Sequence, residues 1–440
     1  MQLKSHPCRH RRQCLARWFL AGCLSFFGCC AMVAAESYDA RGPAGPRFSI
    51  SLDPKARARW EFRYPVTYVF RLPSIPSGVQ VKRRDEESGK WAVLLQKTTS
   101  DFFQGIECVR FDRDKGFVFV SVGFTTRDTI ELEFEGIIAA KFESVARYYD
   151  GRRAVYTLSI DNWGWRASAR PGAPWKGPDS DDSDKYQAAL ATCRRFQLPV
   201  SIAINSGSAG GDAMWRAMQS ELDRRDLSWE PAVHARSHPH NAADYLVRGC
   251  SSEILGCRDD LLEHLHGIPY GQHVFEHILT SGYHDETILG TDADQFLFVR
   301  GYNGRDNPSS RDYGPWDMKH RFYGVAGLST KDYDAVFARR QPKGRYLGRD
   351  VTELNEEFDR VYRAGGIFYA LWHPDRYENS VLYDPRSGKD GVQGSTLVQH
   401  LAHVARLKDV WYVANGWLHS YRYVAEHASV REITERRSSR

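Results

Sequence analysis

From about Ile137 onward, short apolar runs alternate with segments whose apolar residues recur at helical spacing. Ala154 to Ile160 is one such run, Asp184 to Phe196 is the helical segment after it, and Pro199 to Ile204 is the next run. Parallel strands need a crossover connection, usually a helix, so this alternation is typical of a parallel sheet with covered faces. The pattern predicts an α/β domain over residues 150–427.

The preceding segment, residues 48–140, has a different pattern. Its strand-like runs begin near Thr67, Ala92, Gly116 and Thr129, and Pro, Gly and charged turns separate them. Several short runs rich in β-branched and aromatic residues predict a small β-sandwich-like domain. It carries no catalytic constellation, so a carbohydrate-positioning role and a purely structural role both stay open.

The amino terminus has the organisation of a secretory signal peptide. Met1 to Arg17 carries five basic residues and no acid, Trp18 to Val33 is apolar, and Val33 to Ala35 supplies the small residues of a cleavage site. We expect a leader over residues 1–35, a linker over 36–47, and a mature protein that is secreted or periplasmic, or otherwise part of the cell envelope. An uncleaved membrane anchor is the alternative; after cleavage no transmembrane segment is expected.

Cleavage changes the charge of the chain. The formal net charge is +5, and the leader carries five basic residues, so the mature protein is close to neutral. A nucleic-acid partner therefore has no support in the composition. Cys250 and Cys257 flank a short segment in an oxidising compartment, which permits a disulfide. Residues 428–440 are polar and basic, and we expect them to form a flexible tail.

A pair of histidines four residues apart follows an apolar run that ends at Val233. His234 and His238 both offer imidazole nitrogens, which are good ligands for zinc and similar ions. The residue before a proline avoids the α region, so Pro239 indicates that His238 lies outside a helix. We predict two metal ligands at the carboxyl end of a strand, with a pair of solvated loop histidines as the alternative.

Four predicted strand ends carry polar residues that suit catalysis. Asp161 and Asn162 follow the first strand, His234 follows a later one, and Arg300 and His373 end two more. Barrel enzymes keep their chemistry at the carboxyl ends of their strands. Each residue alone is weak support for a catalytic site, but all of them together, at strand ends of one domain, indicate a single site.

These segments resemble the motifs of the polysaccharide deacetylase family, carbohydrate esterase family four. Ser159 to Trp163 matches its first motif, and His234 to His238 keeps the spacing of its second. Arg300 to Gly304 keeps the ends of the third motif but lacks its proline, Ala370 to Pro374 matches the last, and Asp409 to Trp417 resembles the closing strand and helix. The resemblance covers roughly residues 153–423, and the spacing of the motifs is kept better than their residues.

The resemblance implies a distorted (β/α) barrel, a bound divalent metal, usually zinc, and removal of acetyl groups from an acetylated polysaccharide. It places Asp161 as the general base, His234 and His238 as metal ligands, Arg300 as the arginine that holds the base, and His373 as the general acid. N-acetyl and O-acetyl substrates are not distinguished by these residues.

Asn162 departs from the family pattern, in which an aspartate supplies the third metal ligand. An amide oxygen is neutral and binds zinc more weakly than a carboxylate does. Three outcomes stay open: Asn162 binds the metal through its carbonyl oxygen, an acid from the loop Asp179 to Asp182 supplies the charge, or the domain binds glycans without hydrolysing them.

A rival metal motif is His273, Glu276 and His277, which has the spacing of a helical zinc-peptidase motif. A zinc peptidase is therefore a third functional hypothesis, and a solvated helix with scattered histidines is the alternative.

Aromatic and polar residues beside the motifs are candidates for contact with a sugar ring, because aromatic rings offer flat apolar faces. The alternative for the aromatic residues is a place in the core. The predicted substrate-binding residues are Trp163, Trp165, Tyr302, Asn303 and Trp372.

Overall fold

The structure is a computed structural model. Among the residues that the structure describes, no helix is both long and apolar enough to cross a bilayer. The predicted leader lies outside them. The described residues are 45–57, 64–85, 87–98, 106–124, 128–164, 183–208, 212–224, 229–239, 241–268, 274, 276–278, 286–292, 295–301, 322–324, 349–372, 383–384, 389–390 and 396–434.

Among the described residues, eight strands precede a short turn of 3-10 helix at Tyr149–Gly151. One short helix, α1 (Pro54–Arg57), lies between the first two strands. The strands are β1 (Arg47–Leu52), β2 (Val66–Arg71), β3 (Gln80–Arg84), β4 (Trp91–Val93), β5 (Cys108–Asp112), β6 (Phe117–Val122), β7 (Thr129–Glu135) and β8 (Lys141–Val145).

The second half alternates strands with helices. Its strands are β9 (Ala154–Trp163), β10 (Val200–Ile204), β11 (Trp229–Val233), β12 (Glu276–Ile278), β13 (Phe298–Gly301), β14 (Phe322–Gly324), β15 (Ile367–Trp372), β16 (Tyr383–Asp384), β17 (Lys389–Asp390), β18 (Val410–Tyr412) and β19 (Ala428–Glu432). Its helices are α2 (Ser183–Arg195), α3 (Asp212–Asp223), α4 (Ala242–Arg248), α5 (Cys250–His264), α6 (Glu286–Asp292), α7 (Arg349–Ala364), α8 (Thr396–Val404) and α9 (Asn415–His427).

Two antiparallel sheets form the β-rich part, with strand orders β19-β1-β7-β3-β4 and β5-β6-β2-β8. Alternate residues of β1 and β7 are buried, which is the pattern of a sheet with one covered face. Phe70 of the second sheet packs between Phe48 and Phe134 of the first, with ring centroids 4.8 and 4.9 Å apart. The two sheets therefore share one aromatic core, and the predicted sandwich-like fold is confirmed.

The carboxyl-terminal segment corrects one prediction. We expected a flexible tail from Ala428 onward, but β19 pairs antiparallel with β1, with Ala428 opposite Leu52 and Glu432 opposite Phe48. The strand is held mainly by its backbone ladder, and most of its side chains are exposed. A polar edge strand of this kind has no hydrophobic signature, which is why its composition suggested a tail.

Eight of the described strands of the second half form a separate parallel sheet. Its order is β14-β13-β12-β11-β10-β9-β15, with β18 paired to the first residues of β9. The strands β9 to β14 follow one another in chain order, and β15 then lies beside β9. This is the winding of a (β/α) barrel, with β14 and β15 as the two ends of the sheet. The fold is a distorted (β/α) barrel, as predicted.

Strand β9 is buried along its whole length, and its two faces differ in chemistry. Thr157, Ser159 and Asp161 make hydrogen bonds to side chains or backbone of other barrel strands and of α9. Tyr156, on the opposite face, packs on Phe358 of α7. The barrel interior is therefore polar along β9, while the outer face is covered by helices, which agrees with a buried parallel strand.

Cys250 and Cys257 are both thiols, so the disulfide that the sequence permits is not formed. The two residues lie on one helix, α5, and are seven positions apart. Seven residues of α-helix advance by about 10.5 Å, whereas a disulfide needs Cα atoms closer than about 7 Å. Helix formation in this segment therefore excludes the bond.

Candidate functional site

A β-bulge at the end of β9 places Asp161 and Asn162 side by side. Ile160 pairs with Ile202, but Trp163 pairs with Ile204, so two residues of β9 stand opposite the single residue Ala203. Asn162 has a φ of 75°, in the left-handed region that asparagine tolerates better than most residues. Bulges re-aim side chains beside active sites. Here the bulge allows two consecutive side chains to reach other strands of the barrel.

Asp161 forms a buried ion pair with Arg300 of β13. The guanidinium donates from Nη2 to Oδ2 at 2.6 Å and from Nη1 to Oδ1 at 3.1 Å, and both side chains are almost completely buried. Nη1 also donates to the hydroxyl of Ser159. The bidentate geometry fixes the plane of the carboxylate. The predicted contact between Arg300 and Asp161 is therefore present.

His234 lies between a backbone carbonyl and Asn162. Its Nδ1 is 2.7 Å from the carbonyl oxygen of Ile278, which can only accept, so Nδ1 carries the proton. In the neutral ring, Nε2 then carries the lone pair that can accept or bind a cation. That atom is 2.9 Å from Oδ1 of Asn162, which is also an acceptor. Two acceptors that converge at this distance are suited to a shared cation.

The ring of His238 lies close to the ring of His234. The two centroids are 5.1 Å apart and the ring planes are nearly perpendicular, at 81°. With bonds of about 2.0–2.1 Å from metal to nitrogen, tetrahedral coordination by two imidazoles gives centroids about 5 Å apart. The spacing of the histidine pair therefore fits one metal ion. His238 does not lie in a helix, as Pro239 predicted.

The described side chains near this pair that could bind a metal ion carry no negative charge. Asn162 is completely buried, and its Nδ2 has no hydrogen-bond partner among the residues described. Within the same part of the chain, no group of three or more His, Cys, Asp or Glu residues has the geometry to hold a metal. Two imidazoles and an amide oxygen fit a divalent cation by geometry, but they supply less negative charge than two imidazoles and a carboxylate.

Backbone conformations with positive φ are concentrated at this site. Asn162, Ala235 and His238 have φ values of 75°, 103° and 56°, and they are three of the five non-glycine residues with positive φ in the described structure. Such conformations cost energy and persist where the surrounding structure holds them, often at functional sites. The clustering is independent support for a functional role of the two strand ends.

Trp163 is not a substrate-binding residue, contrary to our prediction. Its side chain is completely buried and stacks on Tyr186 of α2, with centroids 5.3 Å apart and ring planes 4° apart. It also packs on Trp229. The bulge explains the error, because the extra residue leaves the indole among core side chains while Asp161 and Asn162 contact other strands.

Several predicted residues are not described by the structure. Trp372 ends β15, where its backbone pairs with Ile160, but its side chain is not among the described ones. The residues whose predicted roles lie outside the described part of the chain are His373, Trp165, Tyr302, Asn303, the loop Asp179 to Asp182, and His273 of the rival metal motif.

The predicted helical peptidase motif is wrong. Glu276 and His277 belong to the short strand β12, which pairs in parallel with β11 and β13. Consecutive residues of a strand point to opposite faces, so these two side chains do not share the single helical face that the motif requires. Oε1 of Glu276 accepts a hydrogen bond from Nδ2 of Asn415 at 3.0 Å.

A buried polar network that the motif analysis missed also lies among the barrel strands. Glu230 of β11 accepts hydrogen bonds from the hydroxyl of Ser201 at 2.6 Å and from the backbone N–H of Gly416, at the start of α9. A carboxylate is stabilised at a helix amino terminus. The available signal was an acid inside the apolar run Trp229 to Val233.

Comparison with protein-family profiles finds no matching family, and comparison with curated proteins finds no match. The chain resembles the polysaccharide deacetylases. Solved structures similar to it include a candidate polysaccharide deacetylase from Mycobacterium smegmatis, at 14% identity and a TM-score of 0.43, covering 63% of this chain and 93% of that one.

Two further similar structures come from the genus Bacillus. The peptidoglycan deacetylase PdaC of Bacillus subtilis is 16% identical with a TM-score of 0.28, covering 62% of this chain and 93% of that one. A pseudoenzyme of the CE4 family from Bacillus anthracis is 11% identical with a TM-score of 0.33, covering 63% and 69%. Every TM-score lies below 0.5, so we base the resemblance on the motif residues and their geometry.

Proposed function

We propose that this protein is a metal-dependent hydrolase that removes acetyl groups from a polysaccharide, with the N-acetyl group of an amino sugar as the favoured substrate. The observation that carries the proposal is the joint placement of the Asp161–Arg300 ion pair and the His234–Asn162 pair at the carboxyl ends of β9, β11 and β13. This arrangement combines a carboxylate held in a fixed orientation with side-chain atoms that converge on a position for a cation.

Each residue of the site has a separate proposed role. A divalent metal, zinc in most proteins with such ligands, would be held by His234, His238 and Oδ1 of Asn162, and it would lower the pKa of a bound water and polarise the acetyl carbonyl. Asp161 accepts the proton of the attacking water through a carboxylate oxygen, while Arg300 keeps the carboxylate oriented. By resemblance, His373 donates a proton to the leaving amine.

A second candidate is a glycan-binding protein that has the barrel of a deacetylase but no hydrolytic activity. The neutral side chain of Asn162 favours it, because the donor set lacks the carboxylate that would hold a dication firmly. The two candidates make different predictions for metal content, so one set of variants separates them.

The test compares the wild type with Asn162→Asp and Asp161→Asn, each measured for metal content and for acetate release from acetylated glycans. The hydrolase proposal expects metal and acetate release from the wild type. It expects tighter metal binding in Asn162→Asp, and retained metal with a hundred- to ten-thousandfold slower reaction, roughly the contribution of a general base, in Asp161→Asn.

Two results would decide against this assignment. A wild type that binds acetylated glycan but neither holds metal nor releases acetate would establish the binding protein. An Asp161→Asn variant as fast as the wild type would show that Asp161 is not the base. His277→Ala is a suitable control, because His277 is a buried histidine outside the proposed donor set.

We also propose that the substrate lies outside the cytoplasm, in the cell wall or in an exported polymer. The support is the leader pattern of residues 1–35. Amino-terminal sequencing of exported protein is expected to begin at Glu36, and a sequence that begins at Met1 would contradict the leader.

A further inference from the structure

Two carboxylates of α5 hold the loop between the proposed metal ligands. We infer that Glu253 and Asp260 are positioning residues that set the geometry of His234 and His238, an inference that rests on the proposed metal site. The two acids are seven residues apart, or about two helical turns, so they lie on one face of α5. Each binds one of the consecutive residues Arg236 and Ser237.

Asp260 fixes the side chain of Arg236. The guanidinium donates from Nε to Oδ2 at 2.9 Å and from Nη2 to Oδ1 at 2.7 Å, so the pair is bidentate. Ser206, which follows β10, donates its hydroxyl to Oδ2 at 2.5 Å. The carboxylate thus joins the loop after β11 to the loop after β10 and to the helix that carries it.

Glu253 fixes the neighbouring residue, Ser237. Its Oε2 accepts the backbone N–H at 2.8 Å, and its Oε1 accepts the hydroxyl at 2.5 Å. Its backbone carbonyl also accepts the N–H of Arg236 at 3.0 Å. Arg248, at the end of α4, donates to the same hydroxyl at 2.8 Å. Glu253 therefore restrains the backbone of the loop as well as its side chain.

Two glycines allow these contacts. A Cβ on Gly256 of α5 would lie 2.6 Å from Cζ of Arg236, so the missing side chain leaves room for the guanidinium to lie across the helix. A Cβ on Gly207 would lie 2.9 Å from the carbonyl oxygen of Arg236. Both positions are close approaches of helix or loop backbone to the segment between the histidines.

The restraint matters because the loop is strained on both sides of Arg236 and Ser237. Ala235 and His238 have positive φ, which side chains other than glycine rarely adopt. Strained backbone persists only where neighbouring contacts hold it. Without the two carboxylates, Ala235 and His238 are expected to relax toward ordinary φ values, and the imidazole of His238 would then move away from that of His234.

The test measures Co²⁺ binding to the full chain, because the visible absorption of bound Co²⁺ reports its coordination geometry. Asp260→Asn and Glu253→Gln are expected to weaken Co²⁺ binding about ten- to a hundredfold, as loss of groups that orient metal ligands does, and to change the absorption spectrum. Asp259→Asn is the matched control, since Asp259 lies on the same helix, is 62% exposed and pairs with its neighbour Arg258. It is expected to bind Co²⁺ as the wild type does.

A variant in the loop tests whether weaker Co²⁺ binding can arise without loss of folding. Ser237→Ala removes one hydroxyl from the loop without changing any charge, and it is expected to weaken Co²⁺ binding severalfold while the metal-free protein still unfolds cooperatively. Restoring the acid as Asp260→Glu is expected to recover part of the affinity lost in Asp260→Asn.

The possible outcomes separate the two proposals. If the wild type binds Co²⁺ and the Asp260, Glu253 and Ser237 variants match it in affinity and spectrum, the positioning role is wrong and the metal site stands. If the wild type binds no Co²⁺, the proposed metal site is wrong and the positioning role falls with it. A loss of affinity in Asp259→Asn as large as in Asp260→Asn would also overturn the inference.

Discussion

Replacing one member of the Asp161–Arg300 pair is expected to destabilise the protein strongly. Arg300→Met keeps an unbranched side chain but removes the charge, and Asp161, whose side chain is 4% exposed, then loses both of its bonds to the guanidinium. Leaving a buried charge without its partner costs about 3–5 kcal/mol. Asp161→Asn leaves the guanidinium without its carboxylate, and a loss of similar size is expected.

The double variant gives the sharper measurement. When both charges are removed, neither is left unpaired, so the double variant is expected to lose less stability than the sum of the two single variants. For a pair in direct contact, the coupling energy reaches about 3 kcal/mol. Urea unfolding of the four proteins, followed by circular dichroism, supplies the four free energies of the cycle.

An exposed pair in the sandwich is the matched control. Arg84 donates to Glu131 at 2.9 Å, but the two side chains are 49% and 33% exposed. Solvent-exposed pairs contribute about 0.2–1 kcal/mol, so the cycle of Arg84→Met with Glu131→Gln is expected to show weak coupling. A coupling energy at Arg300 and Asp161 no larger than that of the control would refute the buried, bidentate geometry on which the proposed base depends.

Three further predictions concern the metal, the pH dependence and the last strand. His234→Ala or His238→Ala is expected to abolish stoichiometric metal binding, measured by elemental analysis, while His277→Ala retains it. Burial lowers the pKa of His400 to about 3, so below pH 6.5 the unfolded chain takes up a proton that the folded protein excludes, and stability falls with decreasing pH. Between pH 6.5 and pH 5 the free energy of unfolding is expected to fall by about 2 kcal/mol for this reason. Urea unfolding of His400→Gln is expected to show no such fall. Deleting residues 428–440 removes β19, one of the two strands paired with β1, and is expected to lower the melting temperature; an unchanged melting curve would show that β19 adds no stability.

The main arrangement of the site was predictable from the sequence because of one topological fact. The carboxyl ends of neighbouring parallel strands meet at one edge of a sheet. Polar residues at the ends of several apolar runs therefore had to approach one another, and the bonds from Asp161 to Arg300 and from Asn162 to His234 confirm that they do. No detailed knowledge of the packing was needed for this conclusion.

The features that the sequence did not predict have two causes. Some depend on a single residue that changes the register of a strand, and others depend on contacts between residues distant in the chain. The bulge at Asp161 and Asn162 is one extra residue in a strand, and without it the position of Trp163 is assigned wrongly. Strand β12 is too short for its period to be distinguished from a helical one. The contacts of the two carboxylates of α5 depend on how that helix packs against the loop, which the sequence alone does not show.

The charge balance of the site leads to a last prediction. Asp161 and Arg300 neutralise each other, and Asn162 adds no charge, so the site has no need of a cation to be electrically balanced. If the amide of Asn162 turns by 180°, its Nδ2 can donate to the lone pair of His234, and the metal-free site then has a satisfied hydrogen bond.

Asn162→Asp removes that option, because an ionised carboxylate cannot donate. The new charge would be completely buried beside a neutral imidazole, at a cost of about 3–5 kcal/mol for an unpaired buried charge. A bound dication would offset it. We therefore expect Zn²⁺, compared with a chelator, to raise the melting temperature of the wild type modestly and that of Asn162→Asp much more. With the chelator, Asn162→Asp should melt earlier than the wild type. If the wild type depends on Zn²⁺ as strongly as the variant does, Asn162 already serves as a full ligand, and a metal-free state closed by its amide does not exist.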